Sequence, residues 1–178
     1  VGQVNKEIVN NINLAGGKAV GLGGKDGNLI LAEKIYHEAD GEKIDIGLVG
    51  TAKEINAGLL KLLEKDRYIP VIAPVGVDAL GNTYNINADT VAGKVAAALK
   101  AEKLILLTDI EGVKIKGALA STLTKAQVAK HIEDGEISGG MIPKTDCCVE
   151  ALEGGVKKTH IIDCFVNDAA PPEIYTDA

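Results

Sequence analysis

Short apolar runs of strand length alternate along this chain with longer stretches whose apolar residues recur every three or four positions. The strand-like runs are Ala19 to Leu22, Asp45 to Val49, Ile69 to Ala73, Lys103 to Thr108 and Thr159 to Ile162. Helical spacing marks Val4 to Leu14, Ala52 to Lys65, Ala88 to Ala101, Lys125 to Glu133 and Lys144 to Glu153. Parallel strands need long crossovers, and a helix supplies both the length and an apolar face to lay on the sheet. The order therefore predicts an α/β fold with a largely parallel sheet covered by helices.

Local punctuation agrees with these elements. Gly135 and Gly154-Gly155 follow two helical stretches, where a residue tolerant of the left-handed conformation ends a helix. Thr124 to Gln127 has the spacing of a capping box. Asp26-Gly27-Asn28 followed by Leu29, Leu31 and Ile35 predicts a hairpin over Asp26 to Tyr36, and Gly81-Asn82 predicts a turn over Asp78 to Thr83.

A chain of 178 residues that is 46% apolar has material for one main core, so a single domain over 1–178 is expected. With 3% aromatic residues and no Trp, that core must be built from Ala, Val, Ile and Leu. The net charge of −6 and the absence of a Lys/Arg block argue against nucleic-acid or anionic-membrane surfaces and favour small-molecule partners. No apolar run approaches the roughly 18 residues of a membrane span. Cys147, Cys148 and Cys164 are odd in number and two are adjacent, which suits a reducing, cytoplasmic setting with the thiols as packing groups.

Four segments bear on chemistry. Gly21-Leu22-Gly23-Gly24-Lys25-Asp26-Gly27 fits neither a dinucleotide fingerprint nor a Walker motif, because Asp26 stands where each needs another residue. It reads as a turn or as a backbone anion nest. In Tyr84-Asn85-Ile86-Asn87-Ala88-Asp89, Asn87 can cap the following helix and Asn85 offers an amide outside it. Asp89 serves either the helix dipole or a ligand. In Ile137-Ser138-Gly139-Gly140-Met141-Ile142-Pro143-Lys144, accessible backbone N–H groups precede a helix that carries a lysine, an arrangement suited to phosphate. Leu104 to Val113 reads as a buried strand ending in polar residues, where open parallel sheets place ligands, and Asp109 could engage a nucleotide or cap a turn.

Taken together and in this order, YNINAD-TVAG, LILLTDIEGV, ISGGMIPK and VKKTHIID resemble the acetylglutamate kinases of the amino-acid kinase family, and IPVIAPVG and AVGLGGKDGN fit the same family. The resemblance runs over nearly the whole chain. It implies a three-layer αβα sandwich with a mainly parallel sheet, and transfer of the γ-phosphoryl group of ATP, with Mg²⁺ bound through the nucleotide phosphates, to N-acetyl-L-glutamate in arginine biosynthesis. By motif position Asn85 is similar to the residue holding the amino-acid substrate, Asp89 to the one organising the catalytic lysines, and Lys144 to a transition-state-stabilising lysine. Thr108, Asp109, Gly112, Val113, Ile137, Ser138 and Met141 match the nucleotide-binding stretch.

The family also carries a first-strand lysine, a Gly-rich loop and a substrate arginine, and the resemblance implies that all three precede Val1. The chain is therefore expected to be N-terminally truncated, holding the nucleotide-binding portion and part of the substrate site, and to be incomplete for catalysis. His160 and Glu173 match positions of an arginine feedback site, although on residue grounds alone His160 beside a buried strand also reads as a packed histidine. A homodimer or a hexamer of dimers is the implied assembly. Two other readings stand beside this one: a sister kinase acting on another acidic substrate, such as carrier-linked aminoadipate, and a non-catalytic nucleotide- or arginine-binding module.

Overall fold

A computed structural model describes residues 2–39, 41–164 and 173–175, the last three by their backbone. Two compact units divide the chain, Val1–Val91 and Ala92–Ala178.

The first unit opens with α1 (Gln3–Leu14) and β1 (Ala19–Gly23). A long antiparallel pair follows, β2 (Ile30–Ala39) and β3 (Glu42–Ile55). Helix α2 (Ala57–Lys65), β4 (Ile69–Ala73), β5 (Val75–Val77) and β6 (Thr83–Asn85) complete the unit. Strands β1 and β4 pair in parallel, Ala19 opposite Ile69 through Gly23 opposite Ala73. Helix α1 is pinned to them by Asn5, a buried residue whose Nδ2 donates to the Val71 carbonyl at 2.8 Å. Strands β2, β3, β6 and β5 close into a small barrel.

Helix α3 (Ala88–Leu99) begins in the first unit and continues into the second. Beyond it lie β7 (Lys103–Thr108), the short ladder β8 (Lys114–Ile115) and β9 (Ala118–Leu119), and β10 (Thr122–Thr124). They are followed by α4 (Lys125–Glu133), α5 (Met141–Glu153), β11 (Lys158–Asp163) and β12 (Glu173–Tyr175). The sheet order is β10-β12-β11-β7, with β7 and β11 parallel over six residue pairs. Leu104, Leu106, Val128, Cys148, Ala151, Val156 and Ile161 belong to one buried cluster built almost wholly from aliphatic and small side chains, as the near-absence of aromatics requires.

Strands β4 and β7 and helix α4 have the expected bounds, and α4 carries the capping box: Gln127 N–H donates to Thr124 Oγ1 at 3.2 Å and Thr124 N–H to Gln127 Oε1 at 2.8 Å. Four expectations are corrected. The helix placed from Ala52 starts only at Ala57, because Ala52 and Ile55 pair with Ala32 and Ile30 and barrel pairing overrides the helical spacing. Asp26–Asn28 forms a 3₁₀ turn instead of a hairpin turn, and β2 pairs with β3 in register up to Ala39 opposite Glu42. Strand β7 is buried on one face only, with Leu104, Leu106 and Thr108 inward against the aliphatic cluster and Ile105 and Leu107 exposed, the alternation of a strand covered on one side. Helix α5 also begins three residues before Lys144.

The glycine-rich segment after β1 is explained by packing. A Cβ on Gly24 would overlap the Val75 carbonyl, so the backbone of β5 reaches this loop only because residue 24 has no side chain. The Gly23 N–H donates to Asp26 Oδ2 at 2.6 Å. An amide already held by a carboxylate is poorly disposed toward a second anion, which favours the turn over the nest.

Candidate active site

In the second unit, β7 ends at Thr108, whose carbonyl accepts the Cys164 N–H at 2.8 Å. The chain then runs through residues 109–113 into β8, and the Val113 carbonyl accepts the Ala120 N–H at 2.9 Å, fixing this loop against the β8–β9 ladder. Helix α4 ends at Gly135, with φ of +73°, and the His131 carbonyl then accepts the N–H groups of both Glu136 and Ile137 at 2.9 Å. This double bond to one carbonyl turns the chain toward the start of α5.

The two loops enclose a pocket of about 220 Å³ lined by Ile110, Gly112, Val113, Lys114, Glu136, Ile137, Ser138 and Met141. Val113 and Ile137 form buried apolar wall and Ser138 is exposed at its rim. Five residues expected to contact nucleotide, Gly112, Val113, Ile137, Ser138 and Met141, thus meet in one concavity although they come from separate segments. Thr108 and Asp109 do not line it. Thr108 ends β7 and Asp109 opens the loop, and Thr108 Oγ1 donates to Asp109 Oδ1 at 3.3 Å.

Ile110, inside the stretch matched to nucleotide binding, also lines the pocket, and Lys114 and Glu136 join it without having been singled out from the sequence. Lys114 directly follows the matched stretch, and position was its only signal. Glu136 Oε2 lies 2.6 Å from His131 Nδ1, and Lys116 Nζ is 3.6 Å from Glu136 Oε1. His131, Asp134 and Glu136 bring ligand-type atoms within 4.8 Å of one another. The His131–Glu136 bond and the Lys116 ammonium account for this cluster without an ion. Nearby, Lys114 Nζ pairs with Glu111 at 2.8 Å and holds that carboxyl below its ordinary range.

Beyond the pocket, Ser138, Gly139 and Gly140 are exposed, and a Cβ added at either glycine would meet nothing within 4 Å. Gly139 has φ of +57°, a left-handed backbone that favours glycine, whereas at Gly140 neither packing nor backbone demands it, and the open space there suits close approach of a ligand. Lys144 is the fourth residue of α5 and half-buried. Its neighbour Thr145 is fully buried and donates from Oγ1 to the Met141 and Ile142 carbonyls at 3.1 and 2.9 Å, which ties down the helical turn that carries the lysine.

In the first unit Asn85 ends β6 with an exposed side chain. Asn87 caps α3, its Oδ1 accepting the Thr90 N–H at 3.1 Å, and Asp89 sits half-buried in the first turn. The preceding turn is organised by Asp78, whose carboxyl is held below the ordinary range chiefly by the Asn82 side-chain amide, together with the Tyr84 hydroxyl and the backbone N–H groups of Asn82 and Leu80, against the effect of burial. The same bond raises the Tyr84 phenol above its usual value.

His160 is buried in β11, directly opposite Glu173 in the antiparallel β11–β12 pair. The Glu173 side chain lies outside the described residues.

The model of the amino acid kinase family matches residues 1–163. The chain belongs to the amino acid kinase family. Among family relatives, the acetylglutamate kinase of Pelobacter propionicus is 57% identical over 183 residues, covering 99% of this chain and 63% of that protein. The acetylglutamate kinase of Geobacter sp. strain M21 is 56% identical over 182 residues, covering 99% and 62%. The chain thus spans less than two thirds of the length of these relatives. The crystal structure of smu.665 from Streptococcus mutans UA159 superposes with a TM-score of 0.84 at 31% identity, covering 99% of this chain and 68% of that one. The amino acid kinase fold, an αβα sandwich, is therefore the fold of this chain.

Proposed function

We propose that the complete protein transfers the γ-phosphoryl group of ATP to the side-chain carboxylate of N-acetyl-L-glutamate, forming N-acetyl-L-glutamyl 5-phosphate in arginine biosynthesis. The observation that carries this reading is the convergence of Gly112, Val113, Ile137, Ser138 and Met141 on one pocket beside the glycine-rich start of α5. The two acetylglutamate kinases described above support the choice of acceptor.

An acceptor carboxylate is ionised at neutral pH, its ordinary pKa being about 4.3, and needs no general base. One of its oxygens forms a bond to the γ-phosphorus while the bond from that phosphorus to the bridging oxygen of ADP breaks. Catalysis is then positioning and charge stabilisation. Residues of the pocket hold the nucleoside, and N–H groups at the start of α5 together with Lys144 face the phosphates as charge develops. Asn85 holds the amino-acid substrate, and Asp89 organises the catalytic lysines.

Mg²⁺ prefers octahedral oxygen ligands and keeps several waters. Among the described residues Glu136 is the one carboxylate lining the pocket and is already engaged by His131 and Lys116, so these residues do not fit a protein-held magnesium site. The ion would arrive on the nucleotide phosphates and would screen their charge there.

The same reading makes the two units parts of one kinase domain in a cytoplasmic enzyme. It includes a homodimer or hexamer, for which the exposed Val4 and Ile8, one turn apart on α1, offer apolar surface. It also includes arginine as a feedback ligand near His160 and Glu173, supported by their placement opposite each other across β11 and β12. A coupled ADP-release assay on the complete protein tests the central claim. Turnover selective for N-acetyl-L-glutamate over glutamate, aspartate and aminoadipate derivatives is expected, and equal or absent turnover would defeat it.

A further inference from the structure

Asn85 sits on a strand of only three residues. Its ladder with β5 has three pairs, Val75 with Asn85, Gly76 with Tyr84 and Val77 with Thr83, and its join to β3 is the single pair Val49 with Asn85. Side chains alternate along a strand, so a slip of one residue would exchange the buried Tyr84 for the exposed Asn85. Three paired rungs, continued only by the Ile86 N–H to the Pro74 carbonyl at 3.0 Å, are a short hold on register.

The carboxylate of Asp78 supplies what the ladder lacks. Its Oδ1 accepts the N–H groups of Leu80 and Asn82, and its Oδ2 accepts the Asn82 side-chain amide and the Tyr84 hydroxyl, all at 2.9 Å. Main-chain bonds close the same turn, Asp78 N–H to the Asn82 carbonyl at 3.0 Å and Gly81 N–H to the Asp78 carbonyl at 3.1 Å. Three of the four side-chain bonds anchor the carboxylate in its own turn, and the fourth reaches into β6. On the other side Tyr84 lies against Gly50, where an added Cβ would come within 2.8 Å of Tyr84 Cβ. The phenol is held between a backbone that tolerates no side chain and a carboxylate fixed by its turn.

We infer that Asp78 is a positioning residue for the acceptor site: by holding the Tyr84 hydroxyl it fixes the β6 register that turns the Asn85 side chain outward toward the substrate. This rests on the reading of Asn85 as the residue that holds the amino-acid substrate. Asp78 touches no reacting atom. Its loss loosens the geometry of acceptor binding while the nucleotide pocket, built from residues of the other unit, is untouched.

The test is steady-state kinetics on the complete protein with Asp78→Ala, Tyr84→Phe and Asn85→Ala in parallel. Asp78→Ala is expected to raise the KM for N-acetyl-L-glutamate about tenfold and Tyr84→Phe about threefold, with kcat and the KM for ATP changing less than about twofold in either. A purely structural role would lower active protein and leave both KM values alone. An acceptor KM that rises in Asn85→Ala but is unchanged in Asp78→Ala and Tyr84→Phe overturns the positioning role. An acceptor KM unchanged in Asn85→Ala overturns the underlying reading of the site instead. Should Asp78→Ala fail to fold, Tyr84→Phe, which keeps the ring and removes one hydroxyl, decides alone: a wild-type acceptor KM overturns the inference.

Discussion

Lys144 shows how a single side chain acquires a role from the turn that carries it. An exposed lysine on a surface helix would sample many rotamers in water, but this one is half-buried in the first turn of α5, whose carbonyls are gripped by the buried Thr145 hydroxyl. A charge held in place costs little reorganisation when negative charge moves toward it. In the complete protein, Lys144→Ala should lower kcat by about a hundredfold while changing the KM for either substrate far less, since the contact strengthens in the transition state. Single-turnover measurements would check this, and a kcat equal to that of the parent protein would remove Lys144 from the phosphoryl path. Asn87 makes the complementary point. Its capping bond to Thr90 was readable from residue type and place, because caps are decided by local geometry.

At the scale of elements, the contact between α3 and α5 depends on atoms that are missing. A Cβ on Gly93 would stand 2.7 Å from Cys147 Sγ and 3.2 Å from its carbonyl oxygen, and one on Gly154 would overlap Ala97. Lys94 and Glu150 bridge the same helices at 2.8 Å across a partly exposed edge, a pair that adds little by itself. Gly93→Ala should therefore destabilise the fold by about 1–3 kcal/mol through overpacking, despite the better helix propensity of Ala. Urea titration followed by circular dichroism would measure it, and a raised midpoint would show that the helices have room. No pattern of hydrophobicity announces such a contact, whereas strands Ile69–Ala73 and Lys103–Thr108 and helix Lys125–Glu133 were legible from apolar runs, spacing and caps. Residues Ala52–Ile55 were misread because the same apolar spacing serves a helix or the end of a barrel strand. Only the partners Ala32 and Ile30 decide between them.

For the whole molecule, the residues assigned to acceptor and to nucleotide fall in different units, Asn85 in the first and the Gly112–Met141 pocket in the second. Hydrogen exchange on the complete protein should separate them. ATP is expected to slow exchange of amides in 110–113 and 136–141, and N-acetyl-L-glutamate that of amides in 84–87. Protection of 84–87 by ATP alone would reverse the assignment. The joint order of motifs made the family legible, while Glu136 as a pocket wall and Asp78 as an anchor were not. Both depend on partners brought in by folding, the His131 ring and Lys116 ammonium in one case and the Tyr84 hydroxyl in the other.

The distribution of sulfur gives the chain a practical property. Cys147 and Cys148 are shut inside the second unit's core and Cys164 is exposed. Among residues 1–178, a thiol-reactive dye should tag Cys164 in the native fold and reach Cys147 and Cys148 only when that core opens. The rate at which the second and third labels appear would then clock the opening, with no engineered probe and no mutation.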